Sequence, residues 1–250
     1  MHTRLSHFAT LPFWSQSSEQ LCDHVLARLE QGFSTHIVTI NAEMLLYAAV
    51  HPSAEQAIDA CTIATVDSFA VWLWLRFFFR RNFPRITGVA FAEKLAVQAG
   101  QRGERVALIG GSSTIAVQQA QQYLEAQSAR VTLAVRLEHT PREQEPVMSS
   151  LILEGLRSVK PTIILVGFGH GVQEVWLSKA LPLVGYPAIG IGVGGAIDVW
   201  GGVARRAPAT LQRLGLEWLW RLIQQPSRYR RILRATIGFP ARCIWESLLY

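Results

Sequence analysis

The sequence predicts an α/β fold: a mostly parallel sheet flanked by helices, of the Rossmann-like kind, followed by a basic helical C-terminal appendage. Three observations carry this. Six short runs rich in β-branched and apolar residues recur along the chain, stretches with helical periodicity separate them, and polar or glycine residues gather just after the runs. Half of the 250 residues are hydrophobic and only 17% are charged, so the chain buries a sizeable core, which excludes disordered, collagenous and mucin-like classes.

In chain order, the runs at 36–40, 61–66, 105–109, 131–137, 162–166 and 188–193 read as strands. Helical patterns lie at 42–50, continuing into 54–60, and at 69–79, 89–99, 115–127, 145–158 and 173–181. The most apolar of these, 69–79, is too short to span a bilayer and ends in Arg80 and Arg81, so it reads as a buried helix with a basic exit. No linker-like or repetitive stretch divides the chain. The α/β part is assigned to residues 1–204 and the appendage to 205–250.

Cys22, Cys61 and Cys243 are odd in number and scattered, without a CxxC pair, which argues against a disulfide framework or a structural zinc site and for a reducing compartment. The N-terminus lacks the apolar region of a secretory signal, and no window reaches bilayer-spanning length, so the expectation is cytoplasmic. The net charge is +6, and only Lys94, Lys160 and Lys179 of the 24 cations are lysines. Arginine favours bidentate phosphate contacts. Between Arg205 and Arg234 eight arginines face one acid, Glu217, with Trp218, Leu219, Trp220, Leu222 and Ile223 interleaved. Such a segment suits an anionic membrane surface, a pyrophosphate or a solvated helix face. No nucleic-acid-binding motif is present, and nucleic acid is not an expected partner.

The strand ends are informative. Thr39 and Asn41 end the first strand, Asp67 the second, Gly110, Gly111 and Ser112 the third, Gly167 to Gly171 the fifth, and Gly194 and Gly195 the sixth. In open α/β sheets ligands bind outside these carboxyl ends, and the set favours a phosphate-bearing ligand. Neither glycine loop is a dinucleotide fingerprint, because Val172 and Ile197 stand where the third glycine would fall. Walker A and nucleophile-elbow motifs are absent too, which leaves an NAD(P)-linked oxidoreductase poorly supported. With four aspartates and no D-x-D, the expected chemistry uses neither metal nor cofactor. His170 reads as a solvent-exposed loop histidine, Asp67 alternatively as a helix N-cap, Asn41 as a cap of the helix after it, and Asp198 as a partner of Arg205 or Arg206.

Ordered blocks then give a resemblance. Thr39-Ile40-Asn41-Ala42-Glu43-Met44, Gly167-Phe168-Gly169 with Gln173-Glu174 and Trp176, and Gly192-Val193-Gly194-Gly195-Ala196-Ile197-Asp198 followed by Gly202 and Arg206-Ala207-Pro208 are similar to the WecG/TagA/CpsF glycosyltransferases. Gly215-Leu216-Glu217-Trp218-Leu219-Trp220-Arg221-Leu222, with Pro226 and Arg228, completes a resemblance that runs from about Phe33 to Arg234. It implies an inverting, metal-independent transferase that moves a sugar from a UDP-sugar to a polyprenyl-diphosphate-linked sugar, in the synthesis of teichoic acid linkage units, common antigen or exopolysaccharide. It also implies peripheral association with the inner face of the cell membrane, and self-association as a homo-oligomer. The family's base carries over onto Asp67 and its polar active-site residues onto Thr39, Asn41, Arg85 and Gln173.

On this reading Arg85 and Arg221 meet the departing diphosphate. Gly169, Gly194 and Gly195 let backbone approach the nucleotide, with Gln173, Asp198 and Arg206 as further substrate contacts. The sequence departs from the family at Ser68, Ala90 and Val172, where members carry Gly, Asp and Lys. These departures fall on the sugar and phosphate side and bear on the donor: an N-acetylmannosamine-type sugar or a hexose. A non-catalytic binder of a UDP-sugar or lipid headgroup is the alternative.

Overall fold

A computed structural model describes residues 4–136, 150–208, 210–211, 214–224 and 226–248, without the side chains of Arg221 and Arg228. Strands β1 (Thr35–Ile40), β2 (Ile63–Val66), β3 (Val106–Gly110), β4 (Val131–Val135), β5 (Ile163–Gly167) and β6 (Ile189–Gly192) form one sheet in the order β2-β1-β6-β5-β3-β4. Every pairing is parallel. All six lie within or beside the expected runs. Parallel strands need crossover helices on both faces, and burial on both faces is why these strands read as unbroken apolar runs. All residues of β1, β2, β3, β5 and β6 are buried, whereas the edge strand β4 is mostly half-buried.

Alternate side chains along each strand serve different layers. Ile37 and Leu108 join the layer under α1 (Ser18–Glu30), α5 (Gly88–Gln101) and α6 (Thr114–Ala126). Val38 and Ile40 face α2 (Ala42–Ala48), α3 (Pro52–Asp59) and α4 (Phe69–Phe78), while Ala107 and Ile109 face α7 (Ser150–Val159) and α8 (Val172–Leu183). Each fully buried Leu or Ile contributes about 1.5–3 kcal/mol.

The structure departs from the sequence expectations at three points, and two further expectations run partly outside the described residues. The helical pattern expected at 42–50 and continuing into 54–60 is interrupted, since Pro52 lacks an amide hydrogen and starts a new helix after His51. Helix α1 was not anticipated, although Ser17 and Gln20 form a capping box and Leu21, Cys22, Val25, Leu26 and Leu29 line one face. The part of the expected 145–158 helix before Ser150 lies outside the described residues, as does the end of the expected 131–137 strand. Finally, α4 is not a buried helix. It is apolar on every face but for Arg76, only Val71, Trp74 and Leu75 are buried, and Phe77 is 71% exposed.

The C-terminal segment contains α9 (Ala196–Trp200), α10 (Glu217–Gln224), α11 (Tyr229–Leu233), a π-helical turn at Arg234–Gly238 and α12 (Phe239–Leu248). Phe239 and Cys243 of α12 share a core with Leu5, Phe8, Met44 and Trp74. Phe239 meets the Trp74 ring edge to face at 5.7 Å, and the Leu5 amide donates to Glu246 Oε2 at 2.8 Å. The three cysteines are free and buried, and burial pushes each thiol up to about 12.

His36 on β1 is buried, with no partner for Nε2 among the described residues, and burial pushes its pKa down from 6.5 to about 4. Between those values the unfolded chain binds a proton that the folded chain excludes, so this contribution is complete above pH 6.5 and is lost as pH falls toward 4. Exchanging His36→Leu should abolish about 3 kcal/mol of acid-induced loss over that window. Denaturant titrations at pH 7 and pH 4.5 read it; parallel losses in both proteins would contradict it.

Candidate active site

The carboxyl ends of β2, β1, β6 and β5 open into a cleft of about 590 Å³. Asp67 follows β2 directly, and its Oδ1 accepts a hydrogen bond from the Gly88 amide at 3.0 Å, at the positive end of α5. It does not cap α4; Ser68 does, accepting from the Val71 amide. Arg85 lies in a short parallel bridge with Val66, and its guanidinium reaches Glu217 of α10 at 3.5 Å. Thr39 donates to the Gly192 carbonyl at 3.5 Å. A side chain at Gly88 would stand 2.9 Å from the Thr39 hydroxyl, so Thr39, Asp67 and α5 pack as one unit.

Asn41 caps α2, as the sequence allowed, with Oδ1 accepting from the Met44 amide at 3.0 Å. Its amide nitrogen faces His170 Nδ1 at 3.2 Å. His170 is therefore no solvent-exposed loop residue: its side chain is 18% exposed and lines the cleft, with Nε2 at 3.6 Å from Glu43 Oε2. Glu43 in turn holds the guanidinium of Arg231 on α11.

Gln173 and Glu174 start α8 and are fully buried. Gln173 Oε1 accepts from the Gly194 amide at 3.0 Å and its Nε2 donates to Glu174 Oε1 at 2.8 Å, while Glu174 Oε2 takes the Gly171 amide at 2.6 Å. Burial outweighs these donors and pushes the Glu174 carboxyl up from 4.5 to about 7. Gly171 must be glycine, since its φ is +83° and a Cβ would stand 2.3 Å from the Tyr47 ring.

Asp198 accepts from the Ser112 amide at 2.8 Å, which ties the β6 loop to the β3 loop and gives it a different partner from the arginines expected. Arg206 is exposed at the rim of the cleft. The adjoining loop is strapped to α10 through the Arg205 carbonyl, which accepts from Trp220 Nε1 and Gln224 Nε2. Thr39, Asn41, Asp67, Arg85, Gln173, Gly194, Gly195, Asp198 and Arg206 all line this one cleft. Gly169 is not among the residues that line it and adopts φ +96°. The side chain of Arg221 lies outside the described residues.

Sequence reasoning gave no role to Glu43, His170, Glu174 or Glu217. The signal for Glu43 was its place in the first turn of a helix capped by Asn41; none marked His170 as inward-facing. The other half of the cleft is apolar, lined by Phe69, Leu73 and Phe77 of α4 and by Ile232, Pro240 and Ile244 of the C-terminal helices. Of the tryptophans, Trp200 is buried but Trp245 is 64% exposed.

A Cβ at Gly192 would stand 2.4 Å from Gln173 Nε2 and 2.5 Å from Glu174 Oε1, whereas one at Gly195 would meet nothing within 4 Å. Gly192→Ala should therefore cost about 1–3 kcal/mol and Gly195→Ala less than about 0.5. Urea unfolding of both variants checks this, and equal costs would show that the paired side chains are not held as described.

Compared with known protein families, the chain matches the model described as glycosyl transferase WecG/TagA/CpsF over residues 6–250.

Proposed function

Because the chain belongs to the WecG/TagA/CpsF family of glycosyl transferases, we propose that it moves a sugar from a UDP-sugar onto a polyprenyl-diphosphate-linked sugar, with inversion, in cell-surface polysaccharide synthesis. The observation that carries this reading is the two-part cleft, in which a polar floor at the strand ends continues into an apolar arm between α4 and the C-terminal helices. A substrate with a sugar-diphosphate head and a hydrocarbon tail matches both halves.

Asp67 takes the proton of the acceptor hydroxyl, whose oxygen attacks the anomeric carbon. The bond from that carbon to the diphosphate oxygen breaks, and UDP leaves with the electron pair. Arg85 and Arg206 at the cleft receive the charge developing on the diphosphate, a role that the family resemblance extends to Arg221, whose side chain lies outside the described residues. Gly194 and Gly195 allow close approach of the nucleotide, while Thr39, Asn41 and Gln173 orient sugar hydroxyls and Asp198 contacts the nucleoside. Four carboxylates border the cleft, and each is engaged by a protein donor: Asp67 by Gly88, Glu43 by Arg231, Glu217 by Arg85 and Asp198 by Ser112. An N-acetylmannosamine-type donor is preferred over a hexose.

Among the described residues no helix is long and apolar enough to cross a membrane. Phe77, Ile237, Trp245 and Leu248 are nevertheless 64–77% exposed, and Arg80, Arg81, Arg230 and Arg234 are exposed on the same elements and those that join them. Apolar side chains beside arginines suit an anionic bilayer surface, which would bring the apolar arm to its lipid.

The decisive assay incubates the protein with a panel of UDP-sugars, a short-chain prenyl-diphosphate-GlcNAc acceptor and EDTA, following UDP release and the mass of the lipid. Transfer from one donor is expected, with Asp67→Asn folded but slower by about 10²–10⁴-fold. UDP binding without transfer from any donor would replace the transferase by a binding protein. In vesicle sedimentation, Ile237→Ser with Trp245→Ser, both outside the cleft lining, should weaken binding to anionic liposomes about tenfold or more while leaving UDP affinity unchanged; undiminished sedimentation would remove these side chains from the membrane contact.

A further inference from the structure

The His170 imidazole joins three parts of the molecule that the chain otherwise keeps apart. Its Nδ1 faces the Asn41 amide nitrogen at 3.2 Å. Since Asn41 Oδ1 is occupied by the Met44 amide, the Asn41 group facing His170 is the NH₂, and Nδ1 is the acceptor. That fixes the neutral tautomer with its proton on Nε2, the atom directed at Glu43 Oε2, 3.6 Å away. Glu43 is held in turn by Arg231 of α11, the helix that leads into the π-helical turn over the cleft. His170 also stands against the Gly194 turn, where a Cβ on Gly194 would lie 3.8 Å from its Cε1. Arg231 neutralises the Glu43 carboxylate, which would otherwise repel an anionic substrate in this cleft, and the uncharged His170 Nε2–H approaches the same carboxylate from the β5 loop.

We propose that His170 is a positioning residue for sugar transfer: it orients Asn41 and Glu43 on the cleft floor and, through Glu43, latches the α11 helix over the cleft. The latch is a statement about the folded protein alone, while its effect on turnover rests on the transferase reading above. The two contacts of the ring can be separated by substitution. Asparagine at 170 preserves an acceptor where Nδ1 stands but does not reach Glu43; glutamine preserves a donor where Nε2 stands but loses the contact to Asn41.

Amide hydrogen exchange over residues 229–238 of the full chain tests the latch, with α6 as an internal control for global stability. His170→Ala should accelerate exchange there by about tenfold and leave α6 unchanged. His170→Gln should restore most of the protection and His170→Asn should not. Arg231→Ala should give the same acceleration as His170→Ala, and the double variant no more than either alone, because both act through Glu43. Unchanged exchange in His170→Ala, additive effects in the double variant, or rescue by asparagine in place of glutamine would each overturn the latch.

In the transfer assay His170→Ala should lower kcat by about 10–100-fold with the donor KM within about threefold, and His170→Gln should recover part of the rate. Equal kcat for wild type and His170→Ala would overturn the positioning role. If the wild type transfers sugar from no donor, the transferase reading fails by itself, and the exchange data still decide whether the latch exists.

Discussion

A carboxyl group with no exposed surface sets the shape of the cleft. Glu174 sits at the start of α8 and accepts the Gly171 amide with one oxygen and the Gln173 side chain with the other, which leaves Gln173 to grip the Gly194 amide. The loops after β5 and β6 are thereby fixed to each other by side chains rather than by the sheet. A buried polar group of this kind is stabilising only when its partners are complete, so the surrounding glycines are as constrained as the polar residues. The absence of a side chain at Gly192 creates the space for this pair, and the left-handed turn at Gly171 brings an amide to it.

Around that fixed centre, two families of contact meet. From the sheet side come Thr39, Asp67 and Asn41, each engaged in local hydrogen bonds that hold its orientation before any ligand arrives. From the C-terminal side come Glu217, bound to Arg85, and Arg231, bound to Glu43. The arginine-rich segment is thus not only a charged surface. Part of its charge is spent on acids of the cleft wall, and its apolar residues supply one side of the hydrophobic arm.

How much of this the sequence disclosed follows from the physics of each element. Parallel strands buried on both faces leave continuous apolar runs, so all six were legible, and polar residues right after those runs pointed to Thr39, Asn41, Asp67 and Gly194. The family resemblance located Arg85 and Gln173, whose positions carry no local signature. Helix α4 departs from its reading because a helix that is apolar on nearly every face does not disclose which side meets the core; here one side packs on Phe239 and another lines the cleft. His170, Glu43 and Arg231 stayed hidden for a different reason. Arg231 is 188 residues from Glu43, and only the folded chain shows that a histidine in a glycine loop lies between that acid and Asn41.

The pairing of the Leu5 amide with Glu246, across 241 residues of sequence, bears on how the molecule is made. The core that holds Leu5, Phe8 and Trp74 is finished only by Phe239 and Cys243. During synthesis that core waits uncovered until α12 has emerged, while the layer formed by α1, α5, α6 and α9 with the sheet is already complete once α9 has emerged. The nascent chain therefore carries a half-built apolar face on the ribosome, the kind of surface that chaperones occupy, and ribosome-bound intermediates of this protein would be expected to bury one side of the sheet long before the other.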